Sequence, residues 1–129
     1  MMTVRMGMYA TYNGKEYKAA KVNGAVYKLI DDGFEPAAGF YASEFAPLNF
    51  MKIVSRNDLD RVYIVKTYAE FKGERFEVME DNDDTVTITT SDAQAAKRIG
   101  MNKIDRYDFR LKVCKSEVVR FIEEIGQWE

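Results

Sequence analysis

The chain has 129 residues and a mass of 14.9 kDa, with 47% hydrophobic and 31% charged residues, enough for one ordinary domain or two very small ones. Nineteen lysines and arginines against 21 aspartates and glutamates give a net charge of −2, far from the basic balance of a dedicated nucleic-acid binder. The chain holds no histidine, which removes the commonest general base, the Ser–His and Cys–His nucleophile pairs and the usual transition-metal ligand.

From the N-terminus, Met6, Met8, Ala10 and Tyr12 alternate with polar or small residues, the period of a half-buried strand. Asn13-Gly14 follows, the pair best suited to the two positive φ angles of a tight hairpin. Tyr17 and Ala19 resume the alternation, Asn23-Gly24 marks a second turn, and a third strand runs through Val26–Ile30. The stretch from Phe34 to Leu48 has no period, and Pro36, Gly39 and Pro47 forbid a regular helix there. Its Phe34, Phe40, Tyr41 and Phe45 form either a packed plug over a barrel mouth or a protein-contact surface. Leu48–Val54 is strand-like, Ser55–Asp58 begins a helical turn, and Leu59–Tyr68 is strand-like without a flexible linker.

The pattern then restarts 59 residues on. Tyr9-Ala10-Thr11-Tyr12-Asn13-Gly14 falls onto Tyr68-Ala69-Glu70-Phe71-Lys72-Gly73, and Phe50, Val54, Leu59 and Arg61 fall onto Phe109, Val113, Val118 and Arg120 without a gap. In this copy Asp81–Asp84 supplies the second turn, Val86–Thr90 the third strand, and Ser91-Asp92 caps a short helix ending at Arg98 or Ile99. Tyr107, Phe109, Leu111 and Val113 form a further strand. After Lys115-Ser116-Glu117, the helical spacing of Val118, Val119, Phe121, Ile122 and Ile125 predicts a terminal helix over 116–125 that covers a sheet edge. The expected class is α+β, mainly β. Two tandem repeats, 1–60 and 61–129, are each a small antiparallel SH3-like meander or curled sheet, or together one pseudo-symmetric sandwich. Short helices are expected near 92–99 and 116–125.

Charge is segregated along the second copy. Residues 69–92 are acidic, with Glu80, Asp81, Asp83 and Asp84 at the turn, whereas 97–120 are basic. An acidic hairpin of this kind suits docking of a basic partner, since complementary charge steers association. It lacks the glycine and the distal glutamate of a calcium loop, so no metal is expected. Arg106, Arg110 and Lys112 with Tyr107 and Phe109 offer an alternative, nucleic-acid-binding strand. Period two, however, sends the rings inward and the charges outward. The sole cysteine, Cys114, permits no intrachain disulfide and has no activating histidine. No run approaches a membrane span, the early methionines are interrupted before any leader core forms, and no phosphate-binding glycine loop is present. These features predict a cytoplasmic protein without cofactor, a monomer or weak homodimer.

The Tyr-Ala-x-Tyr-x-Gly-Lys-x-Tyr opening, with its second copy at Tyr68–Phe76, resembles a group of small, mostly uncharacterised cytoplasmic proteins of Gram-positive bacteria. Some of these are similar to the immunity proteins encoded beside polymorphic toxins. The resemblance spans about a third of the chain and rests on hairpin positions, so no binding residues carry over from it. It implies a stoichiometric binder that occludes a toxin nuclease or other effector. The expectation is therefore a non-enzymatic protein-binding module, its partner another protein such as a basic toxin domain. Contacts are expected at Glu80, Asp81, Asp83 and Asp84 or at Phe40, Tyr41 and Phe45.

Overall fold

The computed structural model describes residues 3–31, 39–42 and 49–128. Of these, 65% lie in eleven antiparallel strands, with one α-helix among the described residues. None of their helices is long and apolar enough to cross a membrane. The chain divides into two compact units, whose boundary falls between Ile64 and Val65.

The first unit comprises Gly7–Ile64 and Gly126–Glu129. Strands β1 (Gly7–Tyr12), β2 (Lys15–Asn23) and β3 (Val26–Asp31) form an antiparallel meander. Tyr12 pairs with Lys15, which leaves Asn13 and Gly14 alone in the turn, at φ 50° and 78°. Both are positive, as a type I′ turn demands; asparagine tolerates that geometry and glycine adopts it freely. β3 pairs onward with β5 (Phe50–Ser55), whose other side carries the two-residue β4 (Tyr41–Ala42). A 3₁₀ turn at Arg56–Asp58 is held by the Arg56 amide on the Ala25 carbonyl at 2.7 Å. The chain then enters β6 (Arg61–Phe71), and the Asp60 amide donates to the Thr11 carbonyl at 2.9 Å. Alternation turns Ala10, Tyr17, Tyr27, Leu29, Val54 and Val62 to one side, where they form the buried core. A side chain the size of Leu29, fully buried, contributes about 1.5–3 kcal/mol.

The second unit comprises Met1–Met6 and Val65–Ile125. The remainder of β6 runs into β7 (Glu74–Asn82) through Lys72-Gly73, at φ 48° and 81°. β8 (Thr85–Thr90) follows, then α1 (Ala93–Ile99), β9 (Asn102–Asp105) and β10 (Asp108–Cys114), with β10 set between β8 and β9. Asp92 caps α1 by accepting from the Gln94 and Ala95 amides at 2.9 and 3.2 Å, and Gly100 ends it at φ 75°. The core is Ala69, Phe76, Val78, Val86, Ile88 and Val113, with Ala95 laid on it from the helix. A second 3₁₀ turn, Lys115–Glu117, is held by the Lys115 amide on the Asp84 carbonyl at 2.9 Å. Element starts recur at one spacing: β2 and β7 at 15 and 74, β3 and β8 at 26 and 85, the 3₁₀ turns at 56 and 115.

The C-terminal helix expected over 116–125 is not formed. That stretch is the 3₁₀ turn followed by strand β11 (Arg120–Gln127), which pairs with β6, and the Val119 amide donates to the Glu70 carbonyl at 2.8 Å. Val118, Val119, Phe121, Ile122 and Ile125 are β-branched or aromatic, types that favour strands once a partner is at hand. Gly126 further weakens a helix there. The open backbone of β6 supplies the partner, and its hydrogen bonds override a helical spacing that five residues produce as easily in a strand.

Candidate functional site

The acidic and basic runs of the second unit prove to be neighbours. Antiparallel pairing folds the two runs against each other, so Arg98 bonds Glu74 and Arg120 Nη2 meets Glu70 Oε1 at 2.8 Å. Pairing to Glu74 and Glu70 raises both guanidinium pKa values. Arg75 likewise bonds Glu124. Much of the charge segregated in sequence is thereby neutralised in space.

Asp81 takes this furthest. A β-bulge between Val78 and Glu80 shifts the alternation by one, which turns Asp81, paired with Val86, toward the core side. Its Oδ1 meets Lys115 Nζ at 2.8 Å and accepts from the Asp83 amide at 3.1 Å, while Oδ2 accepts from the Val4 amide at 2.8 Å. The Lys115 side chain is only 7% exposed and that of Asp81 17%. Desolvation alone would push the Asp81 pKa up; the Lys115 hydrogen bond, the two backbone amides and the Lys115 charge outweigh it and hold the carboxyl below its usual range. Asp81 therefore ties the N-terminal segment, the hairpin and the 3₁₀ turn together. Glu80, Asp83 and Asp84 remain exposed around it, with Asp83 at φ 70° in the turn and Asn82 donating to Glu80.

The opposite face of the same sheet carries an open concavity of about 600 Å³. Its floor is one cross-strand row, read off the pairing register: Tyr68 on β6, Glu77 on β7, Thr89 on β8 and Arg110 on β10. Tyr107 and Met79 form walls. The Arg75 guanidinium lies 4.2 Å from the centre of the Tyr68 ring. Arg110 grips Asp108 twice, at 2.7 and 3.1 Å, and Thr89 donates to the same carboxylate at 3.2 Å. The Arg110 hydrogen bond is the main reason the Asp108 carboxyl lies below the ordinary range. A carboxylate held between a guanidinium and a hydroxyl is a weaker proton acceptor than a free one.

Of the basic trio, Arg110 lines the concavity, Lys112 stands exposed one row away opposite Thr87, and Arg106 lies at the adjoining turn. Tyr107 departs from the expected inward orientation. The β9–β10 hairpin places it in the turn rather than the strand, 69% exposed, with the Arg106 guanidinium 5.4 Å from its ring. A ring and a cation thus share one exposed face. In the first unit, Phe40 is half-buried against Tyr17, ring centres 5.0 Å apart, while Tyr41 is half-exposed in β4. Phe34 and Phe45 lie outside the described residues. Cys114 is exposed at the end of β10. Among the described residues no group of three or more Cys, Asp or Glu side chains could hold a metal ion. Glu77 and Thr89 carry no sequence motif; only the pairing register brings them into line with Tyr68.

The site and fold thus define a mainly β protein with an open concavity on one sheet face. The chain matches, over residues 4–128, the family described as uncharacterised conserved protein UCP033725, and it belongs to that family. No curated protein and no solved structure matches it significantly.

Proposed function

We propose that this is a non-enzymatic protein-binding module that engages its partner through the concavity of the second unit. The observation that carries the reading is the row Tyr68–Glu77–Thr89–Arg110 with Tyr107 beside it, an open surface combining rings, hydroxyl and charges of both signs. Tyrosine and arginine are among the residues on which protein interfaces most depend: tyrosine buries a large area at low entropic cost, and arginine's planar fork pairs carboxylates and stacks on rings. Neutralisation of Glu70, Glu74 and Asp81 leaves Glu80, Asp83 and Asp84 as a narrower acidic flank. Stoichiometric neutralisation of a basic toxin domain in the cytoplasm is the specific form of this function. Each unit is read as a copy of one SH3-like element, supported by the constant 59-residue spacing and by the order meander, fourth strand, 3₁₀ turn, closing strand.

The exposure of Tyr107 beside Arg106 favours a second reading, in which Arg106, Arg110 and Lys112 hold single-stranded nucleic acid. One experiment separates them. Affinity capture from the native cell lysate is expected to recover a protein with the wild type and lose it with Tyr107→Ala. Recovery of nuclease-sensitive material that dissociates steeply with salt would replace the protein reading with the second.

A further inference from the structure

Within the concavity, one charge is unaccounted for. Arg75 is bonded to Glu124 and Arg110 to Asp108, whereas no hydrogen bond or ion pair among the described residues engages Glu77. Its carboxylate is half-buried and sits mid-row, between Tyr68 and Thr89. The lining holds two guanidiniums, Arg75 and Arg110, and two carboxylates, Asp108 and Glu77; Arg110 is bonded to Asp108 and Arg75 to Glu124 outside the lining, so Glu77 is the carboxylate left without a counter-charge. An ionised carboxylate partly removed from water gains most from a cation brought to it. The surroundings suit a cation on a hydrocarbon stem. Met79 offers a soft, deformable wall for methylenes, and the exposed Tyr107 ring adds apolar surface along which a hydrocarbon stem can lie.

Building on the protein-binding reading above, we propose that this concavity receives a single basic side chain of the partner, lysine or arginine, with Glu77 as its counter-charge. A phosphate would meet the unpaired Glu77 and be repelled, so the same observation disfavours a nucleic acid here. The proposal also narrows the partner: it presents a basic residue on an exposed segment able to enter an open groove.

The probes are the capped tripeptides acetyl-Gly-Lys-Gly-amide and acetyl-Gly-Arg-Gly-amide, with the norleucine peptide as uncharged counterpart, titrated at millimolar concentration against the full chain. Saturable shifts of the Glu77, Thr89 and Arg110 amide resonances are expected with a basic peptide and absent with norleucine. Glu77→Gln, its fold checked by its spectrum, is expected to weaken binding about tenfold, the lower end of the range for a hydrogen bond to a charged group. Equal binding of the norleucine peptide, unchanged binding by Glu77→Gln, or no saturable shift with either basic peptide would overturn the proposal. Lysate capture keeps it distinct from the broader reading. A partner lost with Tyr107→Ala but retained with Glu77→Gln sinks the basic-side-chain pocket alone. A partner retained with both sinks the docking face as well.

Discussion

The row that floors the concavity has a counterpart in the first unit. Tyr68–Glu77–Thr89–Arg110 answers to Tyr9–Lys18–Ile30–Met51, and that second row ends on Tyr41 of β4. The strand frame is the same, yet one outer face is charged and concave while the other is largely apolar, with Ile53 and Tyr41 about half exposed. Inward positions tell the opposite story. Ala10, Tyr17, Leu29 and Val54 meet Ala69, Phe76, Ile88 and Val113, apolar residues of comparable size, all buried. What builds the sheet and what the sheet presents are separable, because period two assigns them to opposite faces. Recognition can differ between the units at no cost to the core.

That equivalence can be broken at its strongest point. Leu29→Ala and Ile88→Ala each empty a fully buried position, and each is expected to cost about 3–4 kcal/mol, equal within about 1 kcal/mol in denaturant unfolding. A large inequality would show that the two cores are not interchangeable.

The next largest effect should distinguish the units rather than equate them. Val22 stands where the second unit has Asp81, and it is exposed at a bulge. Asp81→Asn removes the counter-charge bonded to a largely buried Lys115 ammonium and is expected to cost about 3 kcal/mol, whereas Val22→Asn should change stability by less than about 0.5 kcal/mol. The same pair sets an acid limit. Folding holds the Asp81 carboxyl below its ordinary value of 3.8, so as pH falls the unfolded chain binds that proton first. The contribution of Asp81 is complete above the ordinary range and lost below it; in Asp81→Asn the decline in stability between pH 5 and pH 2, followed by denaturant midpoints, should be shallower.

The smallest effect concerns the hairpins. Lys72 adopts φ 48° where Asn13 adopts 50°, and lysine tolerates that region less well than asparagine. Lys72→Asn is expected to stabilise the chain by about 0.5 kcal/mol, visible as a rise in the thermal midpoint.

The parts of the fold legible in sequence are those governed by local chemistry. Asn13-Gly14, Lys72-Gly73 and the Asp92 cap act within a few residues, and each lies at its expected turn or helix start. The terminal strand was not legible because its identity depends on β6, some fifty residues away. The one signal that could have exposed it was the repeat offset itself, which lays Arg120-Phe121-Ile122 on the strand-forming Arg61-Val62-Tyr63. The site was hidden for the same reason. Glu77 and Arg110 meet only across β8, and the bulge that turned Asp81 toward the core leaves no mark on the residue pattern. Charge segregation was plain in the sequence; its mutual cancellation required the pairing register.

Each unit takes a segment from the far end of the chain. Val4 donates to Asp81 and Thr67 to the Arg5 carbonyl in the second unit, while the Trp128 amide donates to the Val62 carbonyl in the first. These contacts close loops of more than sixty residues, and long loops must lose their entropy before the contacts repay it. Folding should therefore be slow, because neither unit is completed by contacts between residues near in sequence. The sheet formed by residues 7–64 is still waiting for Trp128, just as the sheet that holds Asp81 waits for Val4, so each unit settles only when a segment distant in sequence reaches it.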